Sequence, residues 1–512
     1  MKTTTSLRAA LGLLVVWVTP LAAEQPAAKV RALFRDSYAQ RLVPLVSEAI
    51  RFPTVAADAE AASRQRTWLE RVATDLGLTY RDAGPVAEIE LPGPAGAPVL
   101  GLVTHADVVV PGDGWTVPPF EPTQRDGYLY GRGVADDKAA IVQAMLAMAA
   151  LQKSGVPRTQ TIRLLVGSDE ESGSRDVGTY QESHKAPDLS IVLDSSFPVV
   201  VGEKAWNALT ATAADPFSVR PSGGAVARWA LTGLDAGTAT SIVPGRATAT
   251  LRWLPESLEG FKEAAAGLAV PASAADRTFA VTTEGHQATL TVTGKAAHAG
   301  MSIEAGRNAL VPLAERLLAH VAPSGARDLL AFAALAGQDL DGAALGLTTD
   351  DPLWGRSVVN VATIKPSDNG ALVLSINVRV PPPLIGDALQ RHLTTRLAEF
   401  NAATGATLVA GGYFGSKPLV IDPQARIVKR LLAAYQRGTG EQGQPLVVGG
   451  ASYAGRLPSA IPFGTWFPGA PYPGHDVDER VAVRDLYRGV DVLIEALVDL
   501  ACSPPLARPF ER

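Results

Sequence analysis

Histidine and acidic residues recur in the chain in combinations that could bind metal ions. His105 and Asp107 are separated by one residue, and Asp136 and Asp137 are adjacent. Imidazole nitrogen and carboxylate oxygen are the ligands that bind zinc in hydrolytic sites. Taken alone, the first pair is equally well explained as a hydrogen-bonded pair at a strand end, and Asp136 as the cap of the following helix. Three further segments shift this balance towards a metal site.

These three segments supply more ligands of the same kind. Glu170 and Glu171 lie in a glycine- and serine-rich loop, Asp194 follows a short apolar run, and His475 lies near the C-terminus. Each alone is typical of a solvated loop, a turn or a surface histidine. All five segments together provide two histidines, a carboxylate able to bridge, two more carboxylates and a spare glutamate. This set predicts a hydrolase in which two metal ions activate water and polarise a carbonyl.

The elements that must position these residues are buried strands. Three apolar runs, each typical of such a strand, end shortly before His105, Glu170 and Asp194. Between residues 30 and 194 these runs alternate with amphipathic helical segments, which predicts an α/β sheet domain. Open α/β sheets bind ligands beyond the carboxyl ends of their strands. We therefore expect the three residues at the same edge of one sheet.

The pattern changes in the middle of the chain and then returns. Residues 207–418 combine longer alternating strands with amphipathic helices, which predicts an inserted α+β lid domain. The catalytic α/β domain would then comprise residues 24–206 and 419–512, and a length of 512 residues suits two domains. Asp422 and Pro423 predict the N-cap and first residue of a helix.

The N-terminus predicts export. Basic residues precede an apolar run at 9–18, and small residues follow it, so residues 1–23 are interpreted as a cleaved signal peptide. We expect a periplasmic or secreted protein with no membrane span after cleavage, an uncleaved anchor being the alternative. The net charge of -5 argues against nucleic-acid binding. Cys502 is the only cysteine, so no intrachain disulfide is expected.

Taken in chain order, the motifs resemble those of the co-catalytic two-zinc metallopeptidases. This family includes bacterial dipeptidases, carnosinases, glutamate carboxypeptidases, aminoacylases and the acetylornithine and succinyl-diaminopimelate deacylases. The resemblance rests on His105-x-Asp107, residues 131–138, the acidic loop at 169–173 and His475. It is strongest to the bacterial broad-specificity dipeptidase branch. It implies a zinc-peptidase-like α/β catalytic domain, a mixed sheet flanked by helices, with an inserted α+β lid.

The resemblance also implies a set of metal ligands. His105, Asp136 and Asp194 would bind one zinc ion. Asp136, Glu171 and His475 would bind the other, so that Asp136 bridges the pair. Manganese or cobalt would suit the same ligands.

Catalytic roles follow from the resemblance in the same way. Asp107 would orient His105, and Glu170 would be the general base. His298, in a Gly-Lys-Ala-Ala-His-Ala motif, resembles the lid histidine that stabilises the oxyanion of the tetrahedral intermediate. The peptide bond after Asp136 would be cis.

Substrate recognition is implied for four residues. Arg379 resembles the arginine that binds the terminal carboxylate of the substrate, and Gly449 and Gly450 resemble a loop whose backbone contacts it. Ser241 stands where dipeptidases of this branch carry an asparagine, and its side chain is shorter. The implied activity is hydrolysis of dipeptides or short peptides. A carboxypeptidase or N-acyl-amino-acid deacylase and a non-catalytic peptide-binding protein of the same fold are the alternatives, and monomer and homodimer both stay open.

Overall fold

The structure is a computed structural model, and it describes residues 25–512 except 57, 113, 222–226, 270–275, 470, 471 and 473. The predicted signal peptide, residues 1–23, lies outside the described residues. Across the described part of the chain, no helix has both the length and the apolar character that crossing a membrane requires.

Most helices flank one of two large sheets. They are α1 (Pro26–Ser37), α2 (Ala39–Ile50), α3 (Ala59–Asp75), α4 (Lys138–Ser154), α5 (Arg175–Ser183), α6 (Phe261–Leu268), α7 (Leu310–Leu318), α8 (Gly325–Ala336), α9 (Gly386–Thr404), α10 (Arg426–Thr439) and α11 (Val483–Ala501), with 3₁₀ turns at Ile303–Ala305, Ala343–Leu345 and Tyr453–Gly455. Helix α4 is buried on nearly every side because its small and apolar residues pack against α1, α2 and α11.

The strands follow in chain order. They are β1 (Thr79–Ala83), β2 (Val86–Leu91), β3 (Val99–His105), β4 (Thr123–Arg125), β5 (Tyr128–Tyr130), β6 (Thr161–Gly167), β7 (Leu189–Val192), β8 (Ser195–Ser196), β9 (Val200–Glu203), β10 (Asn207–Ala213), β11 (Trp229–Ala236), β12 (Arg246–Trp253), β13 (Thr278–Glu284), β14 (Gln287–Thr293), β15 (Val358–Pro366), β16 (Leu372–Arg379), β17 (Val409–Gly415), β18 (Leu419–Val420), β19 (Leu446–Val448), β20 (Ala460–Pro462), β21 (Thr465–Trp466) and β22 (Arg480–Ala482).

The first sheet contains the strands that precede the acidic loops. Its order is β1-β2-β6-β3-β7-β20, and β3 pairs in parallel with both β6 and β7. Strands β1 and β2 pair antiparallel, so the sheet is mixed, as predicted. In this register His105 lies opposite Gly167. The loops that follow β3, β6 and β7 therefore leave the sheet at one edge.

In the described part of the chain, the second sheet has eight antiparallel strands in the order β13-β14-β12-β11-β15-β16-β10-β17. Alternate residues of β12 are buried, as expected for a sheet with one covered face. The sheet has its own apolar core, separate from that of the first sheet. The α/β fold with an α+β insertion is thus confirmed, whereas the residue limits of the domains stay a prediction.

The predicted start of α10 is wrong. The helix begins at Arg426, and its N-cap residue is Ala425. Asp422 instead accepts hydrogen bonds from the Gln424 backbone N–H, at 2.8 Å, and from Nε of Arg512, at 2.6 Å. The aspartate therefore stabilises a turn before the helix and binds the C-terminal residue, a contact that local sequence could not reveal.

Candidate metal centre

The predicted metal ligands lie at the common edge of β3, β6 and β7. His105 is the last residue of β3, and Asp194 lies two residues beyond β7. Glu170 and Glu171 lie in the loop after β6. Both are half-buried, and the residues of this loop are more buried the nearer they lie to the sheet. The fifth segment, with His475, comes from the loop between β21 and β22. Parallel pairing of β3 with β6 and β7 thus brings together His105, the acidic loop and Asp194, which are far apart in the sequence.

Asp136 lies between the two histidines. Its Oδ1 is 3.0 Å from Nε2 of His105, and its Oδ2 is 3.2 Å from Nε2 of His475. Asp194 approaches His105 Nε2 to 3.7 Å, while Glu171 approaches His475 Nε2 to 2.8 Å. Each oxygen of one carboxylate therefore faces a different group of ligands, which is the arrangement that a bridging ligand requires.

Among the residues that the structure describes, two groups of three each offer ligand atoms that all lie within 4.8 Å of one another. The first contains His105, Glu170 and Asp194, and the second contains Asp136, Glu171 and His475. Two adjacent groups of this composition suit two divalent cations, since each combines imidazole nitrogen with carboxylate oxygen. The peptide bond after Asp136 is cis.

The electrostatics of the buried cluster also fit cations. Burial raises the pKa of Glu170 well above its ordinary value, helped by the charge of Asp194, and burial followed by the Asp136 charge raises the pKa of Asp194 to about 8. Burial alone would lower the pKa of His105, but Asp107 and Asp136 raise it well above its usual range. Four crowded carboxylates and two histidines thus leave negative charge to be balanced, which divalent cations would do.

Asp107 contacts both His105 and the acidic loop. Its carbonyl oxygen lies 3.0 Å from Nδ1 of His105, so that nitrogen donates and Nε2, which faces Asp136, is the nitrogen that could bind a metal. The carboxylate lies farther from Nδ1, at 3.5 Å, and instead accepts from the backbone N–H groups of Glu170, at 3.2 Å, and Glu171, at 3.0 Å. Asp107 therefore connects the segment that carries His105 with the acidic loop that carries Glu170 and Glu171.

Glu479 supports the segment that carries Asp136, and its role is not evident from the sequence. Its buried carboxylate accepts from Nη1 of Arg132 at 2.7 Å and from the backbone N–H groups of Gly133, Ala135 and Asp136 at 2.9, 2.7 and 3.2 Å. In the sequence it is one more acid in the loop after His475. Only its contacts with residues more than 340 positions away in the sequence distinguish Glu479 from the other acidic residues of this loop.

Asp176 and Tyr453 support the acidic loop in a similar way. One Asp176 oxygen accepts from the backbone N–H groups of Ser168, at 2.6 Å, and Asp169, at 3.1 Å, and from the Tyr453 hydroxyl, at 2.6 Å. The Tyr453 ring also packs edge-on to His105, with centroids 6.4 Å apart. Sequence reasoning missed both residues because a helical aspartate and a tyrosine carry no metal-site signal.

His298 reaches the metal centre from the lid. Its ring centroid lies 4.7 Å from that of His475. Nδ1 accepts from the backbone N–H groups of Gly300, at 3.1 Å, and Met301, at 2.9 Å, so the ring proton is on Nε2. Burial lowers the pKa of His298 well below its ordinary value, and the ring is a neutral donor. Ser241 lies beside this turn, where its carbonyl accepts from Ala299 N–H at 2.8 Å.

Arg379 is buried against the glycine-containing loop. Its Nε donates to Oδ1 of Asn377 at 3.0 Å, and Nη1 donates to the Gly449 carbonyl at 2.6 Å. A Cβ on Gly449 would lie 2.0 Å from the carbonyl oxygen of Gly300, so this close approach of lid and loop requires glycine. Gly450 follows, beside Met301. The structure thus brings the predicted substrate-binding arginine and loop together.

Comparison with known proteins places these features in a family. Residues 101–499 match the description "Peptidase family M20/M25/M40". "Putative dipeptidase YtjP" of Bacillus subtilis (strain 168) is 28% identical over 413 residues, covering 79% of this chain and 84% of the relative. A "Putative dipeptidase" of Staphylococcus aureus (strain USA300) is 25% identical over 442 residues, covering 85% of this chain and 89% of the relative.

Solved structures share the fold. Human carnosine dipeptidase 1 superposes with a TM-score of 0.56 at 13% identity, covering 92% of this chain and 98% of that one. The di-peptidase Dug1p of Saccharomyces cerevisiae gives a TM-score of 0.57 at 13% identity, covering 93% and 99%. The family match spans most of the chain and includes both groups of potential ligands. The protein belongs to peptidase family M20/M25/M40 and is a metallopeptidase.

Proposed function

We propose that this metallopeptidase is an exported dipeptidase that works with two zinc ions. The observation that carries the proposal is the position of Asp136, whose two oxygens each face the Nε2 atom of a different histidine. The names of the dipeptidase relatives support the substrate class.

The same residues assign the two metal sites. His105 and Asp194 would hold one ion, Glu171 and His475 would hold the other, and Asp136 would bridge them. When bound, such ions supply Lewis-acid activation of water and of the scissile carbonyl. Metal analysis of the purified protein tests this assignment: two zinc ions per chain support it, whereas a single ion or another metal would contradict the number or the identity.

Glu170 is the general base in this proposal. Its backbone N–H is held by Asp107, and its carboxylate is grouped with His105 and Asp194 without being needed to bridge the histidines. It would take a proton from the attacking water and deliver it to the leaving amine. This transfer breaks the water O–H bond and the amide C–N bond and forms the new C–O and N–H bonds.

His298 would stabilise the oxyanion of the tetrahedral intermediate. Because the Gly300 and Met301 N–H groups occupy Nδ1, the Nε2–H group is available to donate. A fixed donor is effective here because it needs no reorganisation as charge develops on the carbonyl oxygen.

Arg379 and the adjacent loop would recognise the free carboxylate of a dipeptide. After the bonds to Asn377 and Gly449, Nη2 of Arg379 has no hydrogen-bond partner among the described residues. The same guanidinium could serve a carboxypeptidase or an N-acyl-amino-acid deacylase. A substrate panel separates these activities: faster hydrolysis of acylated amino acids than of free dipeptides would reject the dipeptidase assignment.

Export is a separate part of the proposal and depends on residues 1–23. Expression of the full chain in a bacterial host, followed by cell fractionation and N-terminal sequencing, tests it. A mature protein that starts close to residue 24 in the periplasm or medium is expected. Recovery of the intact N-terminus in the cytoplasm would refute export and leave the catalytic proposal unaffected.

Glu170→Gln tests the mechanism most directly. The variant should keep its metal content and lose about 10²- to 10⁴-fold in kcat, since the amide cannot accept the proton. Glu182→Gln, at an exposed position of α5, is the matched control and should behave as the parent. A fully metallated Glu170→Gln enzyme with parental kcat would refute the assignment of the base.

A further inference from the structure

A large cavity adjoins the metal centre between the lid and the catalytic domain. Its volume is about 510 Å³, which is within the range of small-molecule sites. The lid contributes the segment after His298, and the catalytic domain contributes aromatic and aliphatic residues. We call it the apolar cavity, and its side-chain walls are formed chiefly by Phe197, Met301, Leu446, Trp466, Phe467 and Tyr472.

The walls of the apolar cavity are built from packed aromatic rings. The Phe197 and Phe467 centroids lie 4.8 Å apart, and the Trp466 and Tyr472 rings meet edge to face at 5.8 Å. Glu304 is the only charged residue that lines the cavity in the described part of the chain, and it is exposed. Such a surface favours a large apolar or aromatic group and disfavours a carboxylate.

The apolar cavity opens beside the groups that would hold a substrate. Tyr472 packs edge to face against the His298 ring, with the two ring centroids 6.4 Å apart. Gly300 and Met301, which hold His298, form the lid side of the cavity.

Gly449, whose carbonyl accepts from Arg379, also lines the cavity. Arg379 is therefore separated from the cavity only by the glycine-containing loop. A substrate residue whose carboxylate is bound by Arg379 would have its side chain next to this opening.

We infer that the apolar cavity binds the side chain of the C-terminal residue of the substrate and selects large apolar or aromatic residues there. This inference rests on the proposed dipeptidase function, because it needs a substrate with its carboxylate at Arg379. Burial of a phenylalanine side chain in such a cavity corresponds to a preference of about 10- to 150-fold over glycine.

Three dipeptides test the inference on the purified, metal-loaded enzyme. Gly-Phe should be hydrolysed with a kcat/KM about 10- to 150-fold above that of Gly-Gly, whereas Phe-Gly should differ from Gly-Gly much less. Equal values for Gly-Phe and Gly-Gly, or a larger gain for Phe-Gly, would overturn the inference and leave the dipeptidase proposal intact. Failure to hydrolyse any of the three would reject both.

Filling the apolar cavity provides an independent test. Ala305→Trp and Ser302→Trp place an indole at two partly exposed lid positions that line the cavity. Each should lower the ratio of kcat/KM for Gly-Phe over Gly-Gly by at least about tenfold. Ala402→Trp, on the exposed face of α9, is the control and should keep the parental ratio. Circular dichroism and metal content establish folding, and a parental ratio in both folded lid variants would overturn the inference.

Discussion

Glu479→Gln should damage the metal centre without replacing a predicted ligand. The parent carboxylate accepts two hydrogen bonds at each oxygen: Arg132 and the Gly133 N–H at Oε2, and the Ala135 and Asp136 N–H groups at Oε1. A glutamine amide replaces one oxygen with a donor, which would face two donors in a site that is closed to water. The substitution also removes the negative charge next to the buried Arg132 guanidinium.

The size of the effect follows from these lost contacts. Removal of one partner from a buried ion pair costs about 3–5 kcal/mol, because the remaining charge stays buried without compensation. Loss of the bonds to Ala135 and Asp136, or of those to Arg132 and Gly133, loosens the segment that places the carboxylate proposed to bridge the metals. Substitution of such a supporting group weakens metal binding by about 10- to 100-fold.

Urea unfolding of the metal-free protein and competitive metal titration measure the two effects separately. Asp478→Asn is the matched control, since Asp478 lies in the same loop, is partly exposed and accepts two hydrogen bonds from Thr116. The backbone of Asp478 has a φ of 55°, which asparagine tolerates. The Asp478→Asn substitution should therefore lower the free energy of unfolding by less than about 1 kcal/mol. If Glu479→Gln matched this control in both assays, the proposed support of Asp136 would be wrong.

Three further outcomes are expected. His298→Ala should lower kcat by about 10²- to 10³-fold at unchanged metal content, and an equal loss of metal would indicate a structural role instead. Arg379→Lys should raise KM by about tenfold or more for dipeptides but little for their C-terminal amides. A lysine cannot keep the bonds to Asn377 and Gly449 and also bind a substrate carboxylate. Equal effects on the two kinds of substrate would contradict carboxylate recognition. Burial raises the pKa of the Asp194 carboxyl to about 8, above its value in the unfolded chain. The folded, metal-free protein therefore binds the carboxyl proton more tightly than the unfolded chain does. Its free energy of unfolding should fall as the pH rises from about 4 to 8. The gap in Tm between metal-loaded and chelated protein should therefore widen from pH 5 to pH 8, and a constant gap would argue against a crowded carboxylate cluster.

Much of the fold could be predicted because the signals are local. Apolar runs before His105, Glu170 and Asp194 do form strands of one mixed sheet, and the alternating pattern predicted within residues 207–418 does form the strands of the second sheet. The start of α10 could not be predicted this way, since Asp422 binds Arg512 from the far end of the chain. Local patterns indicate which elements form, whereas contacts between distant segments adjust where they begin.

The candidate site divides along the same line. Residue types and their order were enough to nominate five segments with metal-binding donor atoms, and the family resemblance then implied His105, Asp136, Glu171, Asp194 and His475 as the ligands within them. That Asp136 faces both histidines became visible only in the structure, since it depends on the distance of each oxygen to a partner in another segment.

Support of the site depended on tertiary structure almost entirely. Glu479 and Asp176 accept hydrogen bonds from backbone N–H groups that folding brings close, and Tyr453 donates its hydroxyl proton to Asp176. Any acidic residue or tyrosine could make such bonds, so the residue type alone does not reveal the role. The sequence by itself determined the chemistry that the chain can perform, because donor atoms belong to residue types. The tertiary structure decided which groups hold those atoms in place and which cavity receives the substrate, because both depend on distances between segments hundreds of residues apart.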